Sequence, residues 1–206
     1  MKGEPLRHDF GSGEVAAYRW INADGIHRGI VAESARVDDT AVIGDGAIIG
    51  EDAVIGDRAF IGDGASIGDR AIIGDRAFIG DGASIGDGAS IGNMTFIGSD
   101  AIIGEEAVIG DAASIGDGAS IEGDDWYITG GPCGSRQAMW TAVHSHKYGL
   151  RWWIGCQHAI STKELLKRVR DTHGEDSEHA QAYRHAVLFV TTHPGHLKRI
   201  AQEAKE

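Results

Sequence analysis

Isoleucine stands at every sixth position from Ile43 to Ile121, fourteen times without a break, and Val31 and Val37 carry the same phase upstream. Alanine precedes the isoleucine by two residues at thirteen of the fourteen places, with Thr95 the exception, and glycine follows it at thirteen, with Glu122 the exception. In a run such as "AVIGDG" the alanine and isoleucine share one side of an extended segment, while the residue between them and the glycine face the other. The Asp-Gly or Asp-Arg that follows is turn chemistry. An extended piece and a corner in every repeat predict a coil of short parallel strands stacked at about 4.8 Å, with a column of isoleucine inside. A helix is excluded, because this period does not match the helical one and a glycine in every repeat would cost about 1 kcal/mol each time.

Each repeat buries its apolar face only against copies of itself. The run "AVIGDGAIIGEDAVIGDRAFIGDG" resembles the hexapeptide-repeat proteins of the left-handed β-helix superfamily, and the resemblance covers residues 31–123. It implies three hexads per triangular coil, about five coils standing about 24 Å tall, and chains that trimerise. Members of that superfamily include acyltransferases, carbonic anhydrase-like enzymes and binding or structural proteins, so the fold does not choose among activities.

Outside the repeats the patterning changes. Residues 14–22, "EVAAYRWIN", alternate as a strand that leads through the "ADG" turn into the first coil, and the residues before them read as a loose arm. After Glu122 the phase is lost: "DDWYITGGPCGSR" reads as a junction, and "QAMWTAVHSHKYGLRWWIGC" as two strands joined through "SHKYG". Ser161 with Glu164 makes a capping box that opens a helix closed by Gly174. Asp176 or Ser177 caps a second helix, in which Ala180, Tyr183, Val187 and Val190 share a face, and Pro194 separates a third over 196–204. The expected fold is mainly β: an N-terminal arm and lead-in strand (1–30), a left-handed parallel β-helix (31–125), and a small α+β domain of a β-hairpin plus two or three helices (126–206).

Three hexads per coil place residues 18 apart above one another. One wall then presents Val42, Phe60, Phe78, Phe96 and Ser114 outward, a second Ile48, Ser66, Ser84, Ile102 and Ser120, and the third Val54, Ile72, Ser90 and Val108. A contiguous apolar stripe marks a contact, so Val42, Phe60, Phe78 and Phe96 are expected to form a homotrimer interface; the alternative is that the arm or a C-terminal helix covers them. Corner aspartates (Asp45, Asp63, Asp81 and Asp117; Asp57, Asp75 and Asp111) alternate with Arg58, Arg70 and Arg76, which reads as a solvated edge rather than a calcium ladder.

Charge divides the chain. Residues 1–125 carry 8 Lys+Arg against 24 Asp+Glu, and residues 126–206 carry 11 against 7, within a net charge of −12. Eight of ten histidines and four of five tryptophans lie in the basic part. An acidic spacer and a basic, aromatic, chemically richer domain follow from that asymmetry. No apolar run approaches a membrane span, and "MKGEPLRHDF" lacks the apolar core of a signal peptide, so the expected location is cytoplasmic. Cys133 and Cys156 make no disulfide framework.

No histidine occurs between His27 and His144. The carbonic anhydrase-like members of the resembled superfamily hold a metal with coil histidines, so that reading falls; a CoA-dependent acyltransferase, taking acetyl-CoA or another acyl-CoA, would need His144 or His146 as its general base. The richest segment is "WYITGGPCGSRQAMWTAVHSHKYGLRWW". There Gly130, Gly131 and Gly134 let backbone N–H groups approach an anion, Arg136 and Arg151 offer clamps for phosphate, and Trp140, Trp152 and Trp153 offer stacking faces, which together suit a nucleotide-like ligand. Set beside that is the plain reading, in which the tryptophans are core and Gly-Gly-Pro is turn material. A zinc site from Cys133, His144, His146 and Cys156 lacks any C-x-x-C pair, and Cys133 as a nucleophile lacks an identifiable base. The C-terminal part also resembles a domain of uncharacterised phage and bacterial chains, which implies a phage or prophage origin and a binding role. The reading is a trimeric, non-enzymatic binding protein without resident cofactor or metal, whose stalk displays domains that bind an anionic small molecule or a macromolecular partner, with neither membrane nor nucleic acid as that partner.

Overall fold

The structure, a computed structural model, describes residues 1–11, 13–122, 125–133, 138–145, 149–154 and 157–192. The chain divides into two compact units, Met1–Gly123 and Asp124–Glu206.

In the first unit β1 (Lys2–Asp9), β2 (Glu14–Ile21) and β3 (His27–Ala32) form an antiparallel meander. Strand β3 then starts the repeat by pairing in parallel with Ile48–Ile49. From β4 (Arg36–Val37) to β18 (Ser120–Ile121) fifteen two-residue strands follow, one in each hexad. Partners lie 18 residues apart: Ile72 pairs with Val54 and Ser90, Phe78 with Phe60 and Phe96, Ser84 with Ser66 and Ile102. Three parallel ladders make the walls that the resemblance implies. Residues 2–9, expected as a loose arm, are instead a strand, because the open edge of β2 supplies backbone partners that local sequence does not reveal, from Leu6 opposite Ala17 to Asp9 opposite Glu14.

Ile43 to Ile115 fill the coil interior with no more than 2% of their surface exposed. Thr95, the break in the alanine column, is as buried as its neighbours, and its Oγ1 donates to the Gly110 carbonyl at 2.9 Å, so no hydroxyl is buried unsatisfied there. Turn residues Arg58, Arg70 and Arg76 hold φ of 53, 58 and 57°, a left-handed conformation that costs a side-chain-bearing residue about 1–2 kcal/mol. The corner aspartates do more than solvate an edge. On one corner Asp63 Oδ1 accepts from the Asp45 backbone N–H at 2.8 Å and Asp81 from Asp63 at 2.9 Å, on a second Asp87 accepts from Asp69 at 2.9 Å, and on the third Asn93 accepts from Asp75 at 2.8 Å and Asp111 from Asn93 at 2.7 Å. Each side chain thus ties its own coil to the preceding one.

The first coil would leave a bare ladder edge at Val42–Ile43, and one buried amide closes it. Asn22 Nδ2 donates to the Ile43 carbonyl at 2.8 Å, and Asn22 Oδ1 accepts from the Ile43 N–H at 3.0 Å. Tyr18 and Trp20 of β2 are buried beside it, and burial, aided by the negative charges of Glu33 and Asp39, pushes the Tyr18 phenol up to about 12. These residues form the terminal cap that a solenoid requires.

In the second unit β19 (Trp126–Cys133), β20 (Ala138–Ser145), β21 (Gly149–Ile154) and β22 (Gln157–Ser161) make an antiparallel sheet in that order. Helices α1 (Thr162–His173) and α2 (Glu178–Thr191) pack against it. The expected junction is therefore an edge strand. Pro132 costs no ladder bond there, and the register shifts between Gly130 and Cys133. Ser161 Oγ accepts from the Glu164 N–H at 3.2 Å and Ser177 Oγ from the Ala180 N–H at 3.1 Å, so both helices start where the caps predict. Arg168 Nε donates to Glu164 Oε1 at 2.6 Å, and with the charges of Arg168 and Lys167 this holds the Glu164 carboxyl below its ordinary range. The third helix expected over 196–204 lies outside the described residues. Among the described residues, no helix is long and apolar enough to cross a membrane.

Candidate functional site

Two surfaces of the first unit and one sheet of the second hold the residues singled out above. On the first unit, Phe60, Phe78 and Phe96 stack as a ladder with ring centroids 4.8 and 5.0 Å apart and interplanar angles of 4 and 7°. The 18-residue register imposes that alignment, since directly paired residues in a parallel ladder repeat at the strand spacing. Val42, Phe78 and Phe96 remain exposed, at 41, 37 and 43%. Nor does the N-terminal meander cover the stripe, because it extends the ladder of Ile48 and Ser66 instead.

On that other ladder a groove of about 200 Å³ follows Gly50, Gly68 and Gly86, with Ser66 and Ser84 on one flank and Phe10 at its edge. Asp69, Asp87 and Glu105 also line it. Sequence reading missed it because Phe10 belongs to a turn whose place is set by the β1–β2 pairing alone. Its charge is unfavourable for a phosphate-bearing ligand.

In the second unit the pleat separates the residues expected to form one anion site. Trp140, Ala142 and His144 face one side together with Leu150, Trp152 and Ile154, which lie opposite them in register. Trp140 and Trp152, with centroids 5.6 Å apart, pack in the core with Leu165, Val169, Ala180 and Val190. Trp152 is fully buried, and its Nε1 donates to Thr162 Oγ1 at 2.9 Å. Both indoles are thus used as core, which corrects their reading as stacking faces. Gly130 lies opposite Trp140, whose indole ring occupies the space a Cβ would need, so this glycine seats a ring rather than an anion. Arg151 and Trp153 belong to the opposite face; Arg151 donates to the Leu150 carbonyl at 3.1 Å and Trp153 is 7% exposed. His144 is 4% exposed. Gly131 lies in β19. Gly134, Arg136, His146 and Cys156 lie outside the described residues, so the zinc and acyl-transfer sets are only partly placed. Among the described residues no three His, Cys, Asp or Glu side chains gather as a metal site.

The coil geometry has a counterpart among known families. The family described as bacterial transferase hexapeptide (six repeats) matches residues 52–87 and again 88–123. Residues 52–123 are therefore a hexapeptide-repeat β-helix. Comparison with curated proteins gave no match. Among solved structures, the hexapeptide coils are similar to the acetyltransferase domain of PglB from Neisseria gonorrhoeae in complex with acetyl coenzyme A, at 22% identity over 47% of this chain and 55% of that one, with a TM-score of 0.33. They are also similar to the UDP-N-acetylglucosamine acyltransferase of Francisella novicida, at 26% identity over 47% and 49%, with a TM-score of 0.30. A point mutant of the N-acyltransferase AntD from Bacillus cereus, in complex with dTDP and coenzyme A, matches at 16% identity over 68% and 87%, with a TM-score of 0.26. The chain spans about half the length of the first two. The family match ends where the hexapeptide phase ends, so it does not reach the second unit.

Proposed function

We propose that the hexapeptide-repeat unit is a self-associating, threefold scaffold and that the basic second unit it carries is a binding module for an anionic ligand or partner. The observation that carries this reading is the stacked ladder of Phe60, Phe78 and Phe96, with Phe60 half-buried and the other two exposed. An apolar stripe of this kind is stabilised by a second surface, each ring contributing about 1.5–3 kcal/mol when fully buried. The corner entering this wall carries Asp57 with Arg58 and Asp75 with Arg76, and the corner leaving it carries Asp63 and Asp81. A second copy rotated about a common axis can lay another wall over this stripe, the arrangement of a head-to-tail ring that closes. The test is the triple substitution Phe60→Ser, Phe78→Ser and Phe96→Ser, followed by sedimentation. The wild type is expected at three times the 21.8 kDa chain mass and the variant at the chain mass, with the interior isoleucine column intact. A variant that stays trimeric with an unchanged melting temperature rejects the interface.

A second reading, acyl transfer, is favoured by one specific observation: the matched family is described as one of bacterial transferases. Of the two readings it is the one the comparison supports. Under it an acyl-CoA lies along the coils and His144 or His146 serves as general base. Against it stand a coil that contributes no imidazole between His27 and His144 and the acidic lining of the groove beside Phe10. Thiol release from acetyl-CoA with a panel of amine and hydroxyl acceptors decides between them. Saturable turnover that is lost in His144→Ala or His146→Ala establishes acyl transfer, and its absence in folded trimer leaves the binding module.

A further inference from the structure

We infer that the groove between α1 and α2 is a binding site for a small polyanion, a ligand carrying two or more phosphate or carboxylate groups recognised by charge. The inference rests on the reading of the second unit as a binding module and names where and what it binds. The groove has a volume of about 660 Å³, within the usual range of small-molecule sites of about 300–1,000 Å³. Lys163, Lys167 and Arg170 of α1 line one side and Arg184 of α2 the other, above a floor of Leu166 and Val169. All four cationic side chains are exposed.

The placement of these charges is poor for the helix itself. Lys163 is the second residue after the Ser161 cap, where the helix dipole disfavours a cation, and it stands four residues before Lys167, a spacing at which like charges repel. The nearby carboxylates offset this only in part, Glu164 through its attraction to Lys167. Glu164 is held by Arg168 at 2.6 Å, and Asp171 faces Arg170 at 3.6 Å. Lys163, Lys167 and Arg184 have no ion-pair partner among the described residues. A bound polyanion supplies further counter-charge to Lys163, Lys167 and Arg184. Glu175 lies in the lining and Glu164 lies beside Lys163, so the ligand's charge is placed towards Lys167 and Arg184. Among the described residues no aromatic ring lines the groove, so a nucleobase gains little there and affinity follows the number of anionic groups.

The experiment is calorimetric titration of the full chain with inorganic phosphate, pyrophosphate and tripolyphosphate at low and physiological salt. Affinity is expected to rise along that series and to fall with salt. Lys167→Ala and Arg184→Ala, both at exposed positions, are each expected to weaken tripolyphosphate binding about tenfold or more, the usual effect of losing a hydrogen bond to a charged group. Lys163→Glu carries its own signature: it should abolish binding while raising the melting temperature of the unliganded protein, because glutamate suits the first helical turn. Tripolyphosphate binding that survives all three substitutions overturns the groove while leaving the second unit an anion binder elsewhere. No binding of any of the three anions by folded protein overturns both. Binding confined to phosphatidylserine vesicles or to duplex DNA, with none to tripolyphosphate, overturns the small-ligand assignment.

Discussion

Alanine in place of Gly80 is expected to destabilise the first unit by about 3 kcal/mol or more, at or above the top of the usual range for overpacking. Gly80 follows Ile79 and is buried beneath the next coil. A Cβ built there lies 2.5 Å from the Ser99 backbone nitrogen and 2.6 Å from the Gly98 carbonyl carbon. Those atoms are backbone, so relief requires the coils to move apart and lengthens the ladder bond from the Gly80 N–H to the Ile97 carbonyl, now 2.8 Å. Gly110 holds the same place in its hexad, yet a Cβ there meets nothing within 4 Å. Gly110→Ala should therefore stay within about 0.5 kcal/mol of wild type, as a surface change does. Urea unfolding followed by far-ultraviolet circular dichroism compares the two. Equal losses at both positions would show that the glycine column is set by turn conformation and not by the approach of stacked coils.

Removing the Asn22 amide should cost about 2–4 kcal/mol, because Asn22→Ala deprives both the N–H and the carbonyl of Ile43 of partners, each worth about 1–3 kcal/mol when buried and unsatisfied. Both hydrogen bonds are well formed, at 3.0 and 2.8 Å, in a side chain only 6% exposed. Hydrogen exchange localises the effect: the Ile43 amide should lose protection first, and the loss should fade along the coils, since neighbouring repeats are coupled chiefly to each other. Uniform loss of protection along the solenoid would mean that the cap and coils unfold as one body. Unchanged protection at Ile43 would mean that water replaces the amide at no cost.

How much of the second unit could be read from sequence depended on how local its signals were. Ser161, Ser177 and Gly174 act within a few residues of themselves, and they mark the helix ends in the structure as in the sequence. The sheet was harder. "WYITGGPC" read as part of a junction because Gly-Gly-Pro is turn chemistry, and only the pairing of Gly130 with Trp140 shows a strand whose glycine makes room for an indole. The described members of the expected anion site, Gly130, Trp140, Arg151, Trp152 and Trp153, are divided for a related reason. Sequence proximity gathered these residues, but alternation along paired strands sends Trp140 and Trp152 to one face and Arg151 and Trp153 to the other. The cations of the α1–α2 groove carried a readable sign in the i, i+4, i+7 spacing of Lys163, Lys167 and Arg170, but Arg184 joins them only through helix packing.

In the first unit the linear pattern already specifies the repeat and the buried column from Ile43 to Ile121, while the 18-residue register, with the alignment of Phe60, Phe78 and Phe96, was implied by the resemblance and is seen in the strand pairing. A strict period puts every isoleucine on the same side of its strand, so local information is enough for the buried column. Three-dimensional packing was needed wherever one segment serves a distant one: the Asn22 amide on Ile43, β1 on the edge of β2, the aspartate oxygens reaching the preceding coil, and the division of the tryptophans between two faces. Those contacts satisfy backbone groups and ring surfaces that no residue can satisfy within its own neighbourhood, and a linear pattern carries no record of which distant segment will do so.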